Sequence, residues 1–170
     1  MKKFELTSES VTFLGKTLFR IKALVSFGDV AEGELGGFIE RENNLDQSGD
    51  AWVYGDARVC SDAQVCGDAR VFGNAWVCGD AQVCGDAQVF GNAWVQNCRD
   101  YSATSCFGSE NRTTTFFRTK DGGISVRCGC FYGTLREFRE KVKERHGDSR
   151  LAKEYLMLAD LMEFRLSKDE

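Results

Sequence analysis

The chain has 170 residues, enough for one compact domain with a buried interior, and its net charge of −4 sits mainly between residues 49 and 96, where six aspartates accompany two arginines. Proline is absent and no apolar run is long enough to cross a bilayer, so no membrane partner is expected. The apolar stretch 11–14 is cut by Gly15 and Lys16, too short for a signal-peptide core, so the chain reads as cytoplasmic and its eight cysteines as reduced thiols.

From the N-terminus, residues 11–14 and 17–26 read as a β-hairpin turning at Gly15-Lys16, with Phe19, Ile21, Ala23 and Val25 alternating onto one face. Ile39 and Leu45 then extend an alanine register backwards from the repeats that follow, and Leu35 falls on their valine register, which suggests a degenerate first coil.

Residues 49–95 carry the strongest signal. Val53, Val59, Val65, Val71, Val77, Val83, Val89 and Val95 recur every six residues, each preceded two positions earlier by alanine. The unit is Gly-(Asp/Asn)-Ala-x-Val-x, with Ser61 once replacing glycine. Ala and Val, two apart on an extended segment, point to one side and form a core; Gly-Asp and Gly-Asn supply a corner. A second period overlies the first, because Val71 to Trp76 returns unchanged as Val89 to Trp94, 18 residues later. Eighteen is three hexads, the requirement of a triangular prism with three strands per coil. Each buried valine contributes roughly 1.5–3 kcal/mol, but so short a prism has two open ends and needs caps.

Beyond the prism, residues 113–119 and 124–130 flank Lys120-Asp121-Gly122-Gly123, a hairpin turn signal. Two helices follow. Thr134 and Glu137 make a capping box, with Leu135, Phe138 and Val142 as the apolar stripe and His146-Gly147 as the end. Asp148 or Ser149 caps the second, whose stripe is Leu151, Tyr155, Leu158 and Met162, with Leu156 and Ala159 beside it. The expected fold is mainly β: a short triangular hexapeptide-repeat β-helix, taken as left-handed, over residues 35–97, with an N-terminal hairpin cap over 1–34, a β-hairpin segment over 98–133 and a helical hairpin over 134–170.

Columns of every eighteenth residue give the prism three faces. The first carries Tyr54, Phe72 and Phe90 beside Trp52, Arg70 and Gln88; the second Arg58, Trp76 and Trp94 beside Cys60, Cys78 and Gln96; the third only Gln64, Gln82, Cys66 and Cys84. Contiguous aromatic ladders mark a contact surface. Either the terminal helices or a second copy cover these faces, or Trp52, Tyr54, Phe72, Trp76, Phe90 and Trp94 anchor a partner. The corners stack Asp50, Asp68 and Asp86 into an acidic edge, which serves the turns or imitates nucleic-acid phosphates.

No catalytic residue emerges. Many hexapeptide-repeat proteins are acyltransferases with a histidine base in or beside the coils, but the sole histidine, His146, stands at a predicted helix end. Cys128-Gly129-Cys130 places two thiols on one face of a strand, yet the spacing is not the usual zinc pattern, so no metal or cofactor is assigned. The ladder cysteines Cys60 with Cys78, and Cys66 with Cys84, have parallel Cβ vectors and are expected to stay free thiols.

The segment Gly33-Glu34-Leu35-Gly36-Gly37-Phe38-Ile39-Glu40, the Gly-Asp-Ala-x-Val repeats and residues 112–138 together resemble a family of small hexapeptide-repeat β-helix proteins common in bacteriophages and prophages, often labelled hypothetical or polymer-forming. The resemblance spans nearly the whole chain. It implies a phage accessory protein acting in the host cytoplasm, and such proteins frequently counter host defences by occupying a protein or sequestering a signal nucleotide. The leading expectation is a non-enzymatic inhibitor of a host complex, such as a CRISPR-type nucleic-acid-guided system, acting by protein contact or acidic mimicry without direct nucleic-acid binding. A self-associating structural β-helix, a small-ligand sponge with its pocket at an oligomer interface, and a degenerate acyltransferase are the alternatives. A homo-oligomer without another partner would favour the structural or the ligand-sponge reading.

Overall fold

The computed structural model describes residues 2–167; the expected boundaries at 1 and 170 lie outside them. Two long strands, β1 (Phe4–Phe13) and β2 (Lys16–Ala23), form an antiparallel hairpin, and β3 (Leu35–Ile39) pairs with β2. The hairpin turn lies at Leu14-Gly15, one residue earlier than the sequence suggests, because both residues adopt positive φ, 49° and 74°. The first strand also starts earlier than residue 11. Its N-terminal half carries only Phe4 and Leu6 as apolar residues, and is ordered by pairing with β2 and by burial of Phe4.

Eight two-residue strands then build the prism: β4 (Trp52–Val53), β5 (Arg58–Val59), β6 (Gln64–Val65), β7 (Arg70–Val71), β8 (Trp76–Val77), β9 (Gln82–Val83), β10 (Gln88–Val89) and β11 (Trp94–Val95). Strands three apart pair in parallel, Val53 on Val71 on Val89, Val59 on Val77 on Val95, and Val65 on Val83. The solenoid makes about three turns. Every alanine and valine of the eight repeats is fully buried. Gly79 shows why the corners need glycine: at φ 64° a Cβ there would lie 2.0 Å from the Gln96 carbonyl oxygen of the next coil.

The first coil exists, but its register differs from the sequence reading. Ile39 pairs with Val59 and Leu45 with Val65, 20 residues apart rather than 18, so both occupy valine positions, not alanine positions. Leu35 pairs with Lys22 and is 54% exposed, so it is no core residue. The two extra residues fall between Leu45 and Val53, in a loop used by Lys3. The Lys3 backbone N–H donates to Gln47 Oε1 (2.8 Å), and its buried ammonium donates to the carbonyls of Ser48, Gly49 and Ala51 at 3.4, 3.2 and 3.0 Å.

The hairpin caps this end. Phe4, Ile21 and Ala23 join the prism core, Phe19 and Val25 are only partly buried, and Val25 lies beyond the strand. Close approach explains two glycines of the Gly36-Gly37-Phe38-Ile39 segment. A Cβ on Gly36 would lie 2.6 Å from Ile21 Cγ1 and from the Val53 carbonyl oxygen, and one on Gly37 2.6 Å from the Ala57 carbonyl oxygen.

The C-terminal half is an antiparallel sheet of four strands, β12 (Tyr101–Phe107), β13 (Arg112–Arg118), β14 (Ile124–Cys128) and β15 (Phe131–Thr134), backed by α1 (Leu135–His146) and α2 (Arg150–Leu166). Here β13 and β14 are the expected hairpin; β12 and β15 are additional. Thr134 accepts from the Glu137 N–H in the predicted capping box, and Ser149 caps α2. The helical stripes pack on Phe116 and Val126 of the sheet, so the helices cover their own sheet and leave the aromatic prism faces to other elements. Phe117, on the opposite face of β13, enters the prism core and closes its far end. Asp100 ties this junction: its Oδ2 accepts from the Gln96 and Asn97 N–H groups and its Oδ1 meets Arg118 at 3.2 Å. No helix among the described residues is long and apolar enough to cross a membrane.

Candidate functional site

The residue following each valine of one column stands at a prism corner, and at this corner the column is aromatic. Tyr54 stacks on Phe72 with ring centroids 4.5 Å apart and planes 9° apart, and Phe72 meets Phe90 at 5.5 Å. A fourth ring extends the ladder: Tyr132 of β15 lies 4.9 Å from Phe90. The first three rings are half-buried and Tyr132 is exposed. The ladder therefore runs from β4, the first strand of its column, onto the C-terminal sheet as one surface. Two guanidinium groups border it, Arg70, paired with Asp29 at 2.7 Å, and Arg127, 5.9 Å from the Phe90 ring and hydrogen-bonded to Gln88. Partial burial pushes the Tyr54 phenol up from its ordinary pKa, so it is a neutral donor at physiological pH.

The other three expected anchors have different surroundings. Trp52 points outward from the coil, as its position in the repeat requires, but is 0% exposed because Phe4 and Phe27 of the N-terminal segment lie edge-on to it at 6.2 and 5.3 Å. It is a core residue and not a contact anchor. Trp76 and Trp94 remain partly exposed, 5.8 Å apart, but sit in an internal cluster with Phe13, Leu18, Phe38, Cys60 and Cys78. Phe13 meets Trp76 at 4.3 Å, and the Lys120 ammonium lies over that ring at 3.3 Å. The far face of the hairpin thus covers much of the second prism face. The three expected anchors that share an accessible corner are Tyr54, Phe72 and Phe90.

The acidic edge divides too. Asp68 Oδ1 accepts the Asp50 backbone N–H at 3.2 Å, so the Asp68 side chain ties consecutive coils together. Both, with Asp46, face the Lys3 ammonium, whose pKa burial lowers while those carboxylates raise it. Asp68 and Asp86 are exposed; Asp50 is not fully so.

Tyr132 was not legible as part of the ladder. The sequence suggests a strand running through Cys130, whereas Gly129, at φ 57°, and Cys130 form the two-residue turn between β14 and β15, with Cys128 opposite Phe131. The two thiols therefore do not share a strand face. All eight cysteines are free thiols; burial and the neighbouring Cys84 push Cys66 up to about 11. Among the described residues no three His, Cys, Asp or Glu side chains gather where they would hold a metal ion. His146 stacks on Tyr155 at 5.6 Å, on the helical side of the C-terminal sheet and away from the coils.

Geometry and sequence pattern define a repeat β-helix protein, a β-solenoid closed at both ends. The family model described as the YdcK beta solenoid repeat matches residues 63–79 and 81–97, which hold β6 to β8 and β9 to β11. No curated protein matches the chain.

Proposed function

We propose that the protein is a non-enzymatic binding protein that docks on a protein complex along its aromatic corner. The observation that carries this reading is the ladder of Tyr54, Phe72, Phe90 and Tyr132, four rings in contact along one edge and still open to solvent. Rigid aromatic side chains bury large area at low entropic cost, which is why they dominate interface energetics. The resemblance to phage and prophage proteins supplies the setting: an accessory factor in the cytoplasm of a host bacterium, inhibiting a defence complex such as a nucleic-acid-guided system of the CRISPR type. Contact through the rings is favoured over acidic mimicry, because Asp50 and Asp68 share the Lys3 ammonium and part of that edge is neutralised within the chain.

End-to-end assembly has little to build on, since Phe4, Ile21 and Ala23 cover one end of the coil and Phe117 the other. The test is co-purification of tagged protein from bacterial cells carrying such a defence system, with a Phe72→Ser, Phe90→Ser double variant alongside. Both rings are half-buried and lie outside the inward Ala-Val core, so the fold should survive, as circular dichroism would show. Recovery of the defence complex by the wild type and its loss in the variant is the expected result. Equal recovery by both proteins would remove the corner from consideration.

A further inference from the structure

On the side of the C-terminal sheet away from the prism, α1, the β12–β13 turn and the β14–β15 turn enclose a cleft of about 570 Å³, within the range of about 300–1,000 Å³ common to small-molecule sites. Its floor is aromatic, including Phe107, Phe131 and Tyr155, and its walls carry Arg112, Lys141 and Arg145 against one carboxylate, Glu110. Lys141 is paired with Glu144 at 2.8 Å, but among the described residues neither Arg112 nor Arg145 has a carboxylate or hydrogen-bond partner for its guanidinium. They come from distant parts of the chain, the start of β13 and the last turn of α1, yet line one opening. Two guanidinium groups without an acidic partner, lining one cleft, concentrate anions there. Their planar forks suit an oxyanion such as phosphate.

The cleft is also preformed. The Tyr155 hydroxyl accepts the Ser109 N–H at 3.0 Å, and Gly108, at φ 75°, passes so close that a Cβ would lie 1.7 Å from that oxygen. The turn forming one wall is thereby held against α2, and His146 is stacked on the same tyrosine. We infer that this cleft binds a small organic anion in which a phosphate is joined to a flat ring, the chemistry of a nucleotide, with Arg112 and Arg145 on the phosphate and the ring against Phe131 and His146. This site is separate from the exposed face of the ladder, although Tyr132 lines both, and it does not depend on the partner proposed above.

The test is calorimetric titration of the full chain with ATP, and separately with adenosine and with pyrophosphate, in low salt. ATP should bind more tightly than either half, and an Arg112→Ala, Arg145→Ala double variant should weaken ATP by about ten-fold or more. A Phe131→Leu variant should weaken ATP and leave pyrophosphate unchanged. Both arginines are exposed, so the double variant should fold. Should it not, nuclear magnetic resonance of the wild type decides, with ATP expected to move the resonances of Phe131 and His146. Absence of ATP binding, equal affinity for pyrophosphate and ATP, full affinity in a folded double variant, or shifts confined to other surfaces would each overturn the inference.

Discussion

Ser61 is the one corner residue of the repeat that is not glycine, and it adopts φ 62°, a conformation that costs an L-residue about 1–2 kcal/mol. Its neighbours offset that strain. Glu40 accepts the Ser61 N–H at 2.6 Å and the Lys16 ammonium at 2.9 Å, while Arg41 and Asn44 both donate to the Ser61 carbonyl. Burial raises the Glu40 pKa, but the Lys16 and Ser61 hydrogen bonds outweigh it and hold the carboxyl below its ordinary value of 4.5. A carboxylate depressed in the folded state stabilises it above the ordinary pKa, and that contribution is lost as pH falls through the folded value. Glu40→Gln is therefore expected to lower stability by about 1 kcal/mol at neutral pH, measured by urea denaturation. The deficit should vanish in acid, where the wild-type carboxyl is protonated too. Trp52 teaches the complementary lesson at this scale. The repeat assigns its ring to the outside of the coil correctly, but only the tertiary fold, through Phe4 and Phe27, decides that this outside is covered.

Among the elements, the hexads were legible because each restates the same two facts, an inward Ala-Val pair and a glycine corner, and the 18-residue period then determines which strands pair. Strands β12 and β15 were not. The interior of β12, Ser-Ala-Thr-Ser-Cys, is small and polar with no alternating apolar face, and it is ordered by its pairing with β13. The first coil was half legible: its apolar residues are present at spacings of six, but the two-residue insertion after Leu45 shifts them by one full inward step. The three anchors at the open corner could be read from the columns; the fourth ring depended on a turn at Gly129-Cys130 that carries little sequence signal. These registers make a prediction. Deleting residues 68–85 removes one whole coil, joins Gly67 to Asp86 and leaves every remaining column in place. That variant is expected to melt as one cooperative transition by circular dichroism. Deleting only residues 68–73 turns all later strands by one face and moves Trp76 and Trp94 off the Arg58 column, and it should abolish the cooperative melt.

For the molecule as a whole, a parallel coil exposes unpaired strand edges and apolar side chains at each end, which invites stacking with other chains. Here the β1–β2 hairpin meets one end with Phe4, Ile21, Ala23 and the Lys3 ammonium, and β13 meets the other with Phe117. Sedimentation of the wild type is therefore expected to give a discrete species with no filaments. Truncation of residues 2–23 should expose the first coil and produce large, polydisperse assemblies. Filaments from the intact chain would mean that these caps yield in solution.

The coil stack also behaves as a ruler. Each additional 18 residues would lengthen it by about 4.8 Å, the spacing between neighbouring strands, and add one ring to the ladder between Tyr54 and Tyr132. Because the inserted coil repeats the columns, the distance between the N-terminal hairpin and the C-terminal sheet changes in discrete steps while the side chains along the edge keep their alignment. A surface of this kind lets selection match the span of a target by gain or loss of whole coils, without redesigning any single contact.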